Sequence, residues 1–178
     1  NQLKKSLNNF NMSKPTLGII GGGQLGSMLA SAAKKLNVKT IIFSDERDAP
    51  AQRFSDEFIY SQYNDQQKIN EFISKVNIIT YEFENIPFET LNKINKSKPV
   101  LPKPSINRII QHRLAEKDFI NKLNIRTTQY ISIEEKSQIY TLQDLLPGLL
   151  KTTTLGYDGK GQHLVNSIDD IKNLDIDF

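Results

Sequence analysis

Leu17-Gly18-Ile19-Ile20 is an unbroken apolar run that ends in Gly21-Gly22-Gly23, and Leu25, Met28, Leu29, Ala32, Ala33 and Leu36 then recur at helical spacing. The short run followed by glycines predicts a buried parallel strand, and the spacing of three and four predicts a helix. The same alternation continues. Lys39 to Phe43 reads as a second strand ending in Ser44-Asp45, and Phe58-Ile59-Tyr60 as a third. Gln66 to Ser74 reads as a helix with Ile69, Phe72 and Ile73 inward, and Val76 to Thr80 as the next strand. Pro87, which has no N–H for a ladder, closes that segment. Phe88 to Asn95 is a predicted helix and Val100-Leu101 a last short strand. Alternating strands and helices over residues 16–101 predict an α/β unit, an open parallel sheet with helices on both faces.

The pattern changes after Pro102 and Pro104. Ser105 is placed to cap a helix running through His112, and Leu114 to Leu123 continues with Phe119, Ile120 and Leu123 on one side. Residues 128–133 read as a strand. Thr141 with Asp144, and Ser167 with Asp170, have capping-box spacing and predict two short helices. Between them lie predicted strands Gly148 to Thr152 and Gln162 to Val165. The expected organisation is a loose tail over 1–14, an α/β domain over 15–104, and an α+β portion over 105–178.

Composition narrows the function classes. About 38% of the 178 residues are hydrophobic, which suffices for a core. There is no cysteine, so disulfides and thiolate-bound metal are excluded, and His112 and His163 are far apart in sequence. The net charge of +3 is mild and the basic residues are interspersed with acidic ones, which argues against a nucleic-acid partner. No apolar run approaches the roughly 20 residues that span a bilayer. Asn1 to Lys14 is polar and lacks the apolar stretch of a secretory signal, and a cytoplasmic setting is expected.

Gly21-Gly22-Gly23-Gln24-Leu25-Gly26 matches G-x-G-x-x-G between a strand and a helix, and Asp45 follows about 20 residues later. Three readings stay open for this turn. It suits a dinucleotide such as NAD, with Asp45 on a ribose hydroxyl. Its glycines also suit a tight turn with close packing, or a helix start that binds another anion.

The second glycine segment is more specific. Gly156, Gly159 and Gly161 fall within six residues, so the backbone can fold over a polyphosphate with its amides inward. Lys151, at the end of a predicted strand, supplies a compact positive charge for phosphate oxygens. The segment lacks the G-x-x-x-x-G-K-[ST] pattern and is a strand–loop–strand hairpin instead.

Four motifs now stand in order: Gly21-Gly-Gly-Gln-Leu-Gly26, Thr80-Tyr-Glu-Phe-Glu-Asn-Ile-Pro87, Arg113-Leu-Ala-Glu-Lys117, and Lys151 with Gly156-Tyr-Asp-Gly-Lys-Gly-Gln162. Together they resemble the N5-carboxyaminoimidazole ribonucleotide synthetases, ATP-grasp enzymes of purine synthesis. Gln24, Tyr157 and Asp158 favour that family over the formate-dependent transformylases, which carry Glu and serines at those places. The resemblance implies a Rossmann-like pre-ATP-grasp domain that does not bind NAD, followed by the first subdomain of an ATP-grasp fold.

It also implies roles. Arg113, Lys117, Lys151, Gly156, Tyr157, Asp158, Gly159, Lys160, Gly161 and Gln162 are the expected nucleotide-binding residues. Gln24, Leu25, Glu84, Tyr157 and Asp158 are the expected substrate contacts. Glu82 and Glu84 leave a strand end on alternate faces, so at most one of the two should point into the crevice, and Glu84 is the expected one. The implied reaction is ATP-dependent carboxylation of 5-aminoimidazole ribonucleotide by bicarbonate, with Mg²⁺ on the phosphates and a homodimer at full length. The family's magnesium carboxylates and its basic residues for the substrate phosphate have no counterpart here. The expectation is therefore an N-terminal portion, inactive alone, whose metal ligands would lie beyond residue 178. Other ATP-grasp ligases or transformylases, and an NAD-binding Rossmann protein, are the alternatives.

Overall fold

A computed structural model describes residues 15–156 and 159–175. The tail expected over 1–14 lies outside the described residues, as do Tyr157 and Asp158. The chain divides into two compact units, one ending at Arg108 and the other beginning at Ile109.

The first unit is built on four parallel strands in the order β3-β2-β1-β4. They are β1 (Thr16–Ile20), β2 (Lys39–Ser44), β3 (Glu57–Tyr60) and β4 (Ile78–Tyr81). Alternation along the strands assigns each side chain to a face. Ile20, Ile41, Phe43, Ile59 and Ile79 share one core cluster, with Ile69 and Phe72 from α2 (Gln66–Lys75) and Leu91 and Ile94 from α3 (Phe88–Asn95). Ile19 and Ile42 point the other way and meet Ala30 of α1 (Gln24–Lys35) and Ala51 of a 3₁₀ turn over Pro50–Phe54. The sheet is thus covered on both faces, as the alternation predicts. Phe72 and Phe43 meet at 5.4 Å between ring centroids, tilted by 43°, a favourable aromatic geometry.

Of the stripe that predicts α1, only Ala33 is buried. Leu25, Met28 and Leu36 are 55%, 61% and 76% exposed, whereas Gly26, Ala30 and Ala33 pack inward. Small residues at i, i+4 and i+7 let the helix lie close to the sheet. A Cβ on Gly26 would sit 2.9 Å from the Gly21 carbonyl oxygen.

Asp65 caps α2 by accepting the Lys68 N–H at 3.0 Å. The last strand expected in this unit is reduced to a single parallel bridge between Val100 and Ile79, because Pro99 and Pro102 flank it and Pro cannot extend a ladder. The following helix, α4 (Pro104–Ile110), starts one residue before Ser105, which therefore lies inside it and does not cap it. Proline suits a first helical turn, where its missing N–H costs nothing.

The second unit holds α5 (Arg113–Lys122), a 3₁₀ segment over Lys136–Leu145, the antiparallel pair β5 (Gly148–Lys151) and β6 (Gln162–Val165), and α6 (Ile168–Lys172). Its core is small: Ile139, Leu142, Val165 and Ile171 are buried, with Leu150 and Ile168 among the residues packed around them. The strand expected over residues 128–133 is absent, since β5 and β6 pair only with each other and leave that segment without a ladder partner among the described residues. The box expected at Thr141 and Asp144 falls instead at Glu135 and Gln138, which open the 3₁₀ segment, and Thr141 lies inside it, donating to the Gln138 carbonyl at 2.7 Å. The Ser167–Asp170 box is present and opens α6. The apolar side of α5 is open: Phe119 and Leu123 are exposed, and the helix buries no residue.

Candidate functional site

In a parallel sheet the turns after the strands gather at one edge, and the register decides which of them meet. β4 lies beside β1 with Ile20 opposite Tyr81, so the residue after each, Gly21 and Glu82, emerge together. The Glu82 N–H donates to the Ile20 carbonyl at 3.1 Å, which extends the ladder by one bond. Its side chain then turns into the glycine motif. The N–H groups of Gly23 and Gly26 both donate to the Glu82 carboxylate, one to each oxygen and each at 2.5 Å. These are orphan donors at the start of α1, whose N-cap, Gly23, provides no side chain of its own.

Gln24 and Leu25, expected to contact substrate, sit between those two amides and are both exposed. Glu84 is exposed as well. Of the two glutamates, Glu82 is thus the one turned into the glycine motif, and Glu84 lies at the surface. Asp45, the ribose partner under the dinucleotide reading, is engaged by Tyr63. Burial, then the negative charge of the Asp45 carboxylate and the hydrogen bond to it, push the Tyr63 hydroxyl well above its ordinary range.

In the second unit, Lys151 closes β5 opposite Gln162 of β6. The chain between them turns through Leu155, Gly156, Gly159 and Gly161, at φ of 56°, 69°, 80° and 62°. The Thr152 N–H donates to the Gly161 carbonyl at 3.1 Å and holds the hairpin's neck. The Thr152 side chain fills the space beneath two glycines, since a Cβ at Gly156 or Gly161 would lie 2.8 or 2.9 Å from its Oγ1.

Arg113 secures the loop from the start of α5. Its Nη1 donates to the Thr152 carbonyl at 2.6 Å and its Nη2 to the Gly156 carbonyl at 2.7 Å. Its backbone N–H donates to the Thr153 carbonyl at 2.8 Å. A planar guanidinium suits such a two-pronged contact.

Lys117, one turn on, donates to Thr128 Oγ1 at 2.9 Å and lies 5.1 Å from the centre of the Tyr130 ring. Arg113 and Lys117 therefore serve different contacts. Lys151 and Lys160 are exposed, and Gln162 is half-buried. A groove of about 490 Å³, lined by Asn121, Arg126, Thr127, Tyr130, Ile131 and Leu145 among others, takes none of its walls from the glycine loop.

Sequence reasoning found both glycine segments but missed the partners that fill them. Glu82 is 56 residues from Gly26 and Arg113 is 43 residues from Gly156. The available signal for Glu82 was its place one residue past a strand, once β4 is known to neighbour β1. Nothing in the sequence marks Thr152 as the residue beneath the loop glycines.

Among the described residues no helix is long and apolar enough to cross a membrane, and no group of three or more His, Cys, Asp or Glu could hold a metal ion.

Comparison with known proteins agrees with this geometry. The chain is similar to the N5-carboxyaminoimidazole ribonucleotide synthase of Brucella melitensis, at 38% identity over 157 residues, covering 87% of this chain and 43% of the relative. The Staphylococcus aureus synthase is 36% identical over 168 residues, covering 92% and 45%. The solved Staphylococcus aureus N5-carboxyaminoimidazole synthetase complexed with ADP matches with a TM-score of 0.83 at 35% identity, covering 92% and 45%. The chain spans less than half the length of each of these relatives. The ATP-grasp domain model matches residues 118–176. The ribonucleotide synthetase preATP-grasp domain model matches residues 14–111, more than half the sequence, and the chain belongs to that family.

Proposed function

We propose that this chain supplies the acceptor platform and the nucleotide lid for ATP- and bicarbonate-dependent carboxylation of 5-aminoimidazole ribonucleotide to N5-carboxyaminoimidazole ribonucleotide, a step of purine synthesis. The observation that carries this reading is the glycine hairpin with Lys151 at its base and Arg113 bound across its neck. Positive φ at three glycines lets the loop take a tight turn whose backbone amides can line a polyphosphate. The relatives' printed activity supplies the identity of the acceptor.

In the proposed chemistry a bicarbonate oxygen attacks the γ-phosphorus and ADP leaves. The resulting carboxyphosphate releases phosphate and carbon dioxide. The exocyclic amine of the aminoimidazole attacks that carbon, forming the N–C bond and losing one N–H proton. The nucleotide side of the reading rests on Arg113, Lys117, Lys151, Lys160 and Gln162 with Gly156, Gly159 and Gly161. These residues neutralise phosphate charge and cover the nucleotide against water. Tyr157 and Asp158, between the glycines, are assigned to both ligands. Gln24, Leu25 and Glu84 of the first unit are assigned to the acceptor. Mg²⁺ would screen the phosphates when bound. Among the described residues no group of three or more His, Cys, Asp or Glu could hold it. A cytoplasmic homodimer of the whole protein completes the reading.

Two titrations of the ¹⁵N-labelled chain, followed by residue-resolved amide shifts, test the assignment. Millimolar ATP is expected to move amides across 151–162, and 5-aminoimidazole ribonucleotide those of Gln24, Leu25 and Glu84. Shifts at the Gly21–Gly26 turn with ATP, and none in the hairpin, would overturn it.

A further inference from the structure

The glycine turn at the start of α1 has the outline of a phosphate site, with two backbone N–H groups converging at a helix N-terminus. Its anion is nevertheless already present. Both N–H groups end on the Glu82 carboxylate at 2.5 Å. The glycines are shaped to that side chain as well. A Cβ at Gly21 would lie 2.4 Å from Glu82 Cγ, and one at Gly23 would lie 2.8 Å from Glu82 Oε1. At Gly26 it would meet the Gly21 carbonyl at 2.9 Å and Glu82 Oε2 at 3.1 Å. All three glycines of the fingerprint are thus accounted for by an internal carboxylate, with no external ligand.

We infer that Glu82 is the resident anion of this turn, a positioning residue that takes the seat of a phosphate. Two consequences follow from charge and geometry. A dinucleotide or other phosphate ligand meets a like charge at the two donors that converge on Glu82, and is refused. The turn is also tied at Gly23 and Gly26, on either side of Gln24 and Leu25, so the backbone carrying those two residues is fixed before any ligand arrives. This second consequence matters for catalysis only if the proposed function holds; the first stands without it.

The test is residue-resolved NMR of the full ¹⁵N-labelled chain, with inorganic pyrophosphate as the probe. In the unsubstituted chain the Gly23 and Gly26 amide protons should resonate downfield, as hydrogen bonds to a carboxylate require, and pyrophosphate should leave them unmoved. In Glu82→Ala both should lose the downfield position, and pyrophosphate should now shift them, binding there at least roughly tenfold more tightly than before. Glu82→Gln keeps the side-chain volume and serves if the Ala variant does not fold. In it, at least one of the two amides should return upfield. The inference is overturned if pyrophosphate moves both amides in the unsubstituted chain, or if they keep their downfield position in a folded Ala or Gln variant. Failure of the carboxylation assay would leave these outcomes untouched, because they are read at Gly23 and Gly26 without turnover.

Discussion

Glycine is needed at 156 for two separable reasons and at 159 for one. At φ of +80° Gly159 has nothing within 4 Å of an added Cβ, so Gly159→Ala carries only the backbone cost, about 1–2 kcal/mol. Gly156→Ala adds a contact at 2.7 Å with the Lys160 carbonyl, which a backbone atom cannot relieve cheaply. The expected order of ATP affinity by calorimetry is therefore unsubstituted chain, then Gly159→Ala, then Gly156→Ala. Equal losses would mean that the loop's own shape does not govern binding.

Arg113 is judged on the same footing. Arg113→Lys keeps the charge but loses the two-pronged hold on Thr152 and Gly156, so amide exchange across 152–156 should quicken while the fold of the first unit persists. These residue-scale features were half legible. The glycines announce themselves in the sequence, but Glu82 and Arg113, which complete them, come from 56 and 43 positions away, and Glu82 arrives only because β4 neighbours β1.

Among the elements, α1 shows most clearly where periodicity misleads. Its large apolar residues form the stronger pattern, yet the helix packs through Gly26, Ala30 and Ala33 because the turn before it brings it against the sheet. Enlarging the packed face should cost more than changing the open one. Ala30→Leu is expected to lower stability by about 1–3 kcal/mol through overpacking, and Leu36→Gln to change it by no more than about 0.5 kcal/mol. Urea unfolding followed by far-UV circular dichroism distinguishes the two.

The Asp65 cap carries a pH signature. Its carboxyl is held below the ordinary carboxylate range, first by the Lys68 N–H and then by the Ser61 hydroxyl. A depressed folded-state value means that the cap's contribution is fully present above the unfolded value of about 3.9 and is lost as the pH falls through the folded one. The melting-temperature gap between the unsubstituted chain and Asp65→Ala should thus be largest near neutrality and close on acidification. Strands and helices with strong rhythm were readable here. Residues 128–133 were not, because a β-prone segment becomes a strand only when another strand pairs with it.

For the whole molecule, the parallel sheet and the family were both legible, the first from alternation and the second from four motifs in order. What the sequence left ambiguous was whether the first glycine turn serves a dinucleotide. The structure answers with Glu82 in the turn and Tyr63 on Asp45, so NADH fluorescence titration should show no saturable binding in the micromolar range. The activity is tested most directly on the polypeptide expressed from the complete reading frame that holds these 178 residues. Supplied with Mg-ATP, it should release ADP only when 5-aminoimidazole ribonucleotide and bicarbonate are both present, one ADP for each N5-carboxyaminoimidazole ribonucleotide formed. ADP release that ignores the aminoimidazole, or that requires glycinamide ribonucleotide and formate in its place, would contradict the proposed function.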